Sequence, residues 1–167
     1  MYEKLDKGAH SVYLLRYHLV LVTKYRKKVF VRPDIVDELK FEILRISAMF
    51  DIKIIVQETD QDHIHILFKC SPKILLTKYI CILKSNTSRI LRKKYPEINF
   101  LIWKKCLWSP SYCLLTVGEN TMEYVKKYIL NQGKGKEIKK TVDKVSELWK
   151  GSIKPLTIKE YYEKSKK

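Results

Sequence analysis

The chain has 167 residues, about the size of one ordinary domain, and its 34 lysines and arginines against 18 acidic residues give a formal net charge of +16. This charge predicts a polyanionic partner, and an aromatic content of 11% favours nucleic acid over an acidic membrane surface, because bases stack on aromatic rings. The N-terminal segment is charged and no apolar stretch is long enough to span a bilayer, so we expect a cytoplasmic protein with no membrane partner.

The first predicted element is a strand that ends in a basic cluster. Residues 11–23 are rich in β-branched and aromatic residues and are long enough for one full strand. The cluster contains one aromatic ring among its cations: Lys24, Tyr25, Arg26, Lys27 and Lys28. Such a cluster is either a solvated strand end or, beside a nucleic-acid site, a set of phosphate contacts. Pro33 and Asp34 then open a helix whose apolar residues recur every three or four positions.

A hairpin that carries two histidines is predicted next. Residues 52–58 form a second strand, and a four-residue turn leads into the string DHIHILFK at residues 62–69, which forms a third, antiparallel strand. Side chains alternate along a strand, so His63 and His65 share one face while apolar side chains occupy the other. Two imidazoles at this spacing can reach one divalent ion, but they can also be half-buried residues satisfied by their neighbours.

The second helix is predicted to begin at Ser71 and Pro72 and to run to about Lys94. Its later part, LKSNTSRILRKK, is rich in hydroxyl, amide and basic groups. These groups suit phosphate binding, although a solvated helix end has a similar composition. We therefore predict nucleic-acid contacts from the basic cluster and from this helix, at Lys24, Tyr25, Arg26, Lys84, Ser88, Arg89 and Arg92.

The last predicted elements are a fourth strand over residues 112–117 and a helix over residues 122–132. On this helix Tyr124, Tyr128 and Gln132 recur every four residues. They therefore lie on one face, where an amide and a phenol can approach the same point.

The order strand, helix, strand, strand, helix, strand, helix predicts an α+β fold, the ferredoxin-like or RRM-like split βαβ pattern with one antiparallel sheet and an additional C-terminal helix. The apolar first strand, residues 11–22, is a candidate for an edge that pairs across a two-fold axis. Residues 1–133 would form one domain, followed by a lysine-rich, partly helical extension over residues 134–167. The four cysteines lack CxxC spacing and sit in apolar segments, so we expect reduced, mostly packing thiols rather than a zinc site.

Four sequence blocks resemble, in this order, those of a known family. The blocks are YHLVLVTKYRKKVF at residues 17–30, DHIHILF at 62–68, LWSPSYCLLTVG at 107–118 and YVKKYILNQ at 124–132. Together they are similar to the single-tyrosine HUH transposases of small insertion sequences, the IS200-like TnpA proteins. Departures from the family pattern are small: Leu130 stands where an acidic residue is common, and Ser85 where glycine is common.

The resemblance implies a metal-dependent enzyme whose C-terminal helix carries the nucleophile. Carried over to this chain, the ligands of a catalytic Mg²⁺ or Mn²⁺ are His63, His65 and Gln132. The nucleophile is Tyr128, because the YIxNQ context favours it over the competing Tyr124 one turn earlier. The implied reaction cleaves and rejoins single-stranded DNA with subterminal hairpins through a 5′-phosphotyrosine.

The resemblance also implies a homodimer in which the tyrosine helix of one chain serves the histidines of its partner. Two alternatives stay open. One is a non-catalytic nucleic-acid-binding module on the same fold, although the joint presence of His-Ile-His and Tyr-x₃-Gln argues against it. The other is a domesticated repeat-processing HUH endonuclease, chemically alike but monomeric, and the lysine-rich extension fits either protein.

Overall fold

The structure is a computed structural model that describes residues 5–103 and 106–131, without the side chains of Glu119, Asn120 and Tyr124. The predicted ligand Gln132 and the predicted extension over residues 134–167 lie outside the described residues. In chain order, the elements are β1 (Asp6–Lys7), β2 (Val12–Tyr13), β3 (Arg16–Val22), a 3-10 turn (Lys24–Arg26), α1 (Pro33–Met49), β4 (Lys53–Thr59), β5 (His63–Lys69), α2 (Leu76–Lys94), α3 (Ile98–Leu101), β6 (Cys113–Thr116) and α4 (Glu119–Leu130).

The main sheet has the strand order β4-β5-β3-β6, and every neighbouring pair is antiparallel. This arrangement confirms the predicted fold class. The expectation that the first strand is an edge is wrong, because β3 pairs with β5 along its whole length and with β6 on its other side. The strand predicted over residues 11–23 is also two strands, since Val12–Tyr13 pairs with Asp6–Lys7 outside the main sheet.

The three predicted helices form as α1, α2 and α4, but two of them begin elsewhere, and the sequence does not predict the short α3. α1 begins at its proline, as expected for a residue that has no N–H to donate. α2 begins at Leu76 and not at Ser71 and Pro72, because these residues form a turn in which Ile74 N donates to the Ser71 carbonyl. α4 begins directly after Gly118, earlier than predicted.

The two faces of the sheet carry separate apolar clusters. α1 and α2 cover the face on which Ile64, Ile66 and Phe68 of β5 are fully buried. α4 contacts β4 and β5. It forms a second and smaller cluster with them, composed of Leu67, Val117, Met122, Val125 and Ile129. No helix in the described part of the chain is long and apolar enough to cross a membrane.

The cysteines divide between the core and the surface. Cys70 is buried and Cys113 is half-buried, as expected of packing thiols. Cys81 and Cys106 are exposed, so the expected packing role holds for only two of the four cysteines. Cys81 lies on the outer side of α2 and Cys106 in the loop before β6, where neither contributes to the main core.

Candidate active site

β5 presents two of the three predicted ligands on the face opposite to the main core. His63 and His65 alternate with the fully buried Ile64 and Ile66, as the strand periodicity predicts. The centroids of the two imidazole rings lie 5.0 Å apart. His65 is 5% exposed, and His63, next to the turn, is partly exposed. The strand therefore places two imidazoles side by side at the border between interior and solvent.

The Nδ1 atom of each imidazole has a hydrogen-bond partner. His63 Nδ1 lies 2.6 Å from Asp62 Oδ1, and because a carboxylate can only accept, this nitrogen carries the proton. Asp62 also forms an ion pair with Arg26, with 2.9 Å between Oδ2 and Nε. His65 Nδ1 lies 2.9 Å from Nε2 of His18 in β3. A partner on one ring nitrogen sets the role of the other. For His63 this leaves Nε2 as the nitrogen that can bind a metal ion, and for His65 the role of Nε2 depends on which of the two rings carries the shared proton.

The Nε2 atom of His65 fits the role of a metal ligand. It is buried and has no hydrogen-bond partner among the described residues, which is unusual for a buried polar atom. Within residues 5–103 and 106–131, no three His, Cys, Asp or Glu side chains converge as a metal site. The two imidazoles would therefore need further ligands, such as the Gln132 amide, solvent or oxygens of DNA.

Burial keeps the two buried imidazoles, those of His18 and His65, uncharged at neutral pH. It lowers the pKa of His18 to about 4, and together with the positive charges that His18 and His63 can carry it lowers the pKa of His65 to about 3. Burial opposes the ionisation of Asp62, but the hydrogen bond from His63 and the charge of Arg26 outweigh it and lower the pKa of this carboxyl. The site thus contains neutral imidazoles, the form that binds metal ions, beside a carboxylate.

Tyr128 lies against His65, the more deeply buried of the two histidines of β5. The apolar face of α4 packs on the sheet and places the Tyr128 ring beside the His65 ring. The two ring centroids are 5.5 Å apart, and the interplanar angle is 88°. The predicted nucleophile and a predicted metal ligand of the same chain are therefore neighbours. The structure does not describe the side chain of Tyr124 or any part of Gln132.

His18 is a site residue that the sequence analysis misses. Its position depends on the register of β3 and β5, in which Val20 pairs with His65 and His18 pairs with Leu67. The two histidines are therefore diagonal neighbours on one face of the sheet. A histidine inside an otherwise apolar strand is the only signal of this in the sequence, and it does not identify the partner.

Part of the predicted nucleic-acid set lines a surface groove of about 840 Å³ beside α2. Its border includes five cations and an exposed ring: Lys24, Lys84, Arg89, Arg92, Lys93 and Tyr112. Ser88 also reaches this border but is buried, and its Oγ accepts a hydrogen bond from Leu107 N at 3.0 Å, so its main role is to hold the loop. Tyr25 and Arg26 are not among the described residues that line the groove, and Arg26 is instead paired with Asp62.

Comparisons with known proteins point to one family. The family model described as transposase IS200 like matches residues 11–132. The ISDra2 transposase TnpA of Deinococcus radiodurans is 36% identical over 129 residues, which are 77% of this chain and 91% of that protein. The transposase for insertion sequence element IS200 of Salmonella typhimurium is 29% identical over 125 residues, 74% of this chain and 80% of the relative. A crystal structure of a candidate transposase from Deinococcus radiodurans is similar with a TM-score of 0.64 and 34% identity, covering 76% of this chain and 97% of the other.

Proposed function

Since the chain belongs to the IS200-like transposase family, we propose that it cleaves and rejoins single-stranded DNA ends by transesterification at Tyr128. The contact between the Tyr128 ring and His65 carries this proposal, because the buried Nε2 of that histidine has no hydrogen-bond partner in the described part of the chain. A non-catalytic nucleic-acid-binding module on this fold would not require a tyrosine beside a pair of imidazoles on one face of the sheet.

In the proposed reaction, the phenol oxygen of Tyr128 attacks the phosphorus of a phosphodiester. The new bond joins this oxygen to phosphorus, and the bond from phosphorus to the 3′ oxygen breaks. The phenol gives up its proton and the leaving 3′ oxygen takes one up, so the products are a 5′-phosphotyrosine and a free 3′-hydroxyl. The phosphotyrosine keeps the ester energy, and the 3′-hydroxyl of a second strand can therefore reverse the step and join new ends.

His63 and His65 would hold Mg²⁺ or Mn²⁺ through their Nε2 atoms, with the Gln132 amide as the third protein ligand. When bound, the cation would polarise the scissile phosphate and offset the charge on its oxygens. Phenols ionise near pH 10, so activation of the tyrosine at neutral pH has to come from the site. The chain contributes two oriented imidazoles, one of which is almost completely shielded from water.

Single-stranded DNA with subterminal hairpins is the proposed partner. The net charge of +16 favours a polyanion, and Lys24, Lys84, Arg89 and Arg92 border one groove where they could contact phosphates. Tyr112 at the same groove is exposed and could stack on a base. The groove would thus bind DNA through its backbone and leave the histidine face for the chemistry.

We propose a homodimer as the working form, with composite sites. Within one chain, the small cluster around Leu67 docks α4 on the sheet, and the sheet of an identical partner would offer the same docking surface. α4 could therefore change sheets without a net loss of apolar contacts. Gly118, directly before α4, is a suitable hinge residue. A monomeric repeat-processing enzyme would keep α4 on its own sheet.

The test uses a single-stranded DNA that carries a hairpin and a labelled end, incubated with the protein and Mn²⁺. On a denaturing gel we expect a covalent adduct in which the protein is joined to the 5′ phosphate of the DNA fragment on the 3′ side of the cleaved bond, so the label is placed at the 3′ end. Tyr128→Phe should abolish the adduct, because it removes the attacking oxygen, and Tyr124→Phe should retain it. If the adduct survives in Tyr128→Phe and disappears in Tyr124→Phe, the nucleophile is Tyr124, one turn earlier, and the proposal for Tyr128 is refuted.

A further inference from the structure

His18 in β3 is a buried imidazole to which the proposed reaction gives no role. It is 7% exposed, and its ring stacks on that of His65 with centroids 5.1 Å apart and an interplanar angle of 24°. Its Nε2 lies 2.9 Å from His65 Nδ1. Burial of a polar side chain is costly unless it is hydrogen-bonded, and an apolar residue would fill this position without that cost. The hydrogen bond between His18 and His65 therefore needs an explanation other than packing.

When both imidazoles are neutral, one proton lies between Nε2 of His18 and Nδ1 of His65, and either ring can carry it. If His65 Nδ1 carries it and donates to His18, the lone pair of His65 lies on Nε2. If His18 carries it, His65 Nε2 has to hold a buried proton that has no acceptor among the described residues. The first arrangement makes Nε2 a ligand, and the second leaves an unsatisfied donor, which burial penalises.

We propose that His18 is a positioning residue: it accepts the Nδ1–H of His65 and so holds that ring in the tautomer whose Nε2 can bind a metal ion. This inference rests on the proposed function, in which His65 Nε2 is a ligand. Metal-ligating histidines commonly donate their second N–H to an acceptor that fixes the ring. His18 supplies that acceptor to His65, as Asp62 does to the adjacent His63.

The two acceptors differ in charge, and burial explains the difference. Asp62 lies at the turn, where its carboxylate is partly exposed and is paired with Arg26. The partner of His65 lies inside the sheet, where an ionised carboxylate without such a pair would be costly. An imidazole accepts the same hydrogen bond and brings no charge into the interior.

The test compares substitutions at His18 that keep or remove an acceptor at the position of Nε2. His18→Gln can place its Oε1 close to that position, His18→Leu fills the space without an acceptor, and Val20→Ala loosens the neighbouring strand position that pairs with His65. The first measurement is the long-range ¹H–¹⁵N NMR spectrum of the metal-free, full-length protein. We expect a protonated Nδ1 on His65 in the parent, in His18→Gln and in Val20→Ala, and its loss in His18→Leu.

The second measurement is the binding of Mn²⁺ alone, by electron paramagnetic resonance. His18→Leu should weaken binding by about 10- to 100-fold, and His18→Gln should restore most of it. The inference is overturned if His65 carries its proton on Nε2 in the parent, or if folded His18→Leu binds Mn²⁺ like the parent while His65→Ala does not. If neither the parent nor His65→Ala binds Mn²⁺, the proposed metal site fails as well, whereas the tyrosine adduct tests the nucleophile separately.

Discussion

At the residue scale, the two histidines among the predicted metal ligands are each held by a hydrogen-bond partner, which is charged in one case and neutral in the other. His63 is held by a carboxylate that is tied to a guanidinium at the protein surface, and His65 by a neutral ring inside the sheet. With the proposed proton on Nδ1 of each ring, Nε2 is the nitrogen that can coordinate a cation. Two strands and one turn thus position the pair, rather than β5 alone.

Removal of a ligand should separate chemistry from DNA binding. A bound cation contributes several kcal/mol of transition-state stabilisation, so His63→Ala, His65→Ala and Gln132→Ala should each reduce cleavage by about 100-fold or more. Binding of the hairpin DNA should stay within a few-fold of the parent, because the proposed phosphate contacts border the groove beside α2 and include none of these three residues. Cleavage rates over a range of Mn²⁺ concentrations and binding by fluorescence anisotropy measure the two effects. Parental cleavage in both histidine variants would refute the metal site.

Strand alternation predicts that His63 and His65 share a face, and a helical spacing of four predicts that Tyr128 lies on one face of its helix. Both rules are local and need no tertiary information. His18 could not be found in this way, because its contact with His65 follows from the register of two strands that are 47 residues apart along the chain. The role predicted for Gln132 stays a prediction.

At the element scale, α4 determines where the tyrosine can act. In a single chain it rests on its own sheet with Tyr128 beside His65. The family resemblance implies instead that the helix crosses to the partner, and the same apolar cluster would form in either arrangement. Which sheet receives α4 is therefore decided by the connections on either side of the helix and by the dimer interface.

Subunit mixing distinguishes the two arrangements. A His63→Ala/His65→Ala protein and a Tyr128→Phe protein are each inactive, but a heterodimer with composite sites has one intact site and one doubly defective site. We expect mixing to restore cleavage to about a quarter of the parental level, since half of the dimers in an equal mixture are hetero and each has one of two sites. Subunit exchange is confirmed with differently tagged chains. If exchange occurs and no activity returns, each tyrosine works on its own sheet.

The element order predicts the topology correctly, yet the individual ends of elements depend on contacts that are distant in sequence. β3 becomes central because both of its edges find partners, which an apolar composition does not specify. Val12 and Tyr13 are β-branched and aromatic residues of the kind found in β3, but they pair with Asp6–Lys7 and not with the main sheet. Ser71 and Pro72 form a turn that resembles a helix start in sequence, since both motifs favour these residues.

At the scale of the whole molecule, the buried imidazoles make stability depend on pH. In the folded, metal-free protein the pKa of His18 is about 4 and that of His65 about 3, against 6.5 in an unfolded chain. Between these values the unfolded state binds more protons, so the free energy of unfolding is highest above pH 6.5 and falls as the pH is lowered toward 4.

Each imidazole contributes a slope of up to about 1.4 kcal/mol per pH unit in that window. We expect urea unfolding in the presence of a chelator to show a clear loss of stability between pH 7 and pH 5, and His18→Gln to have a shallower slope. An equal free energy of unfolding at the two pH values would show that these rings take up protons as readily in the folded state as in the unfolded chain.

Leu67 and Phe68 are consecutive residues of β5 that lie in different apolar clusters, one under α4 and the other under α1 and α2. Truncation of Phe68 would damage the core that folds the domain, whereas truncation of Leu67 would mainly release the helix that carries the tyrosine. Along a lineage that accumulates random substitutions, the capacity to cut can thus be lost by steps that leave a stable scaffold. Inactive descendants of this chain would remain foldable proteins and would not be cleared as misfolded ones.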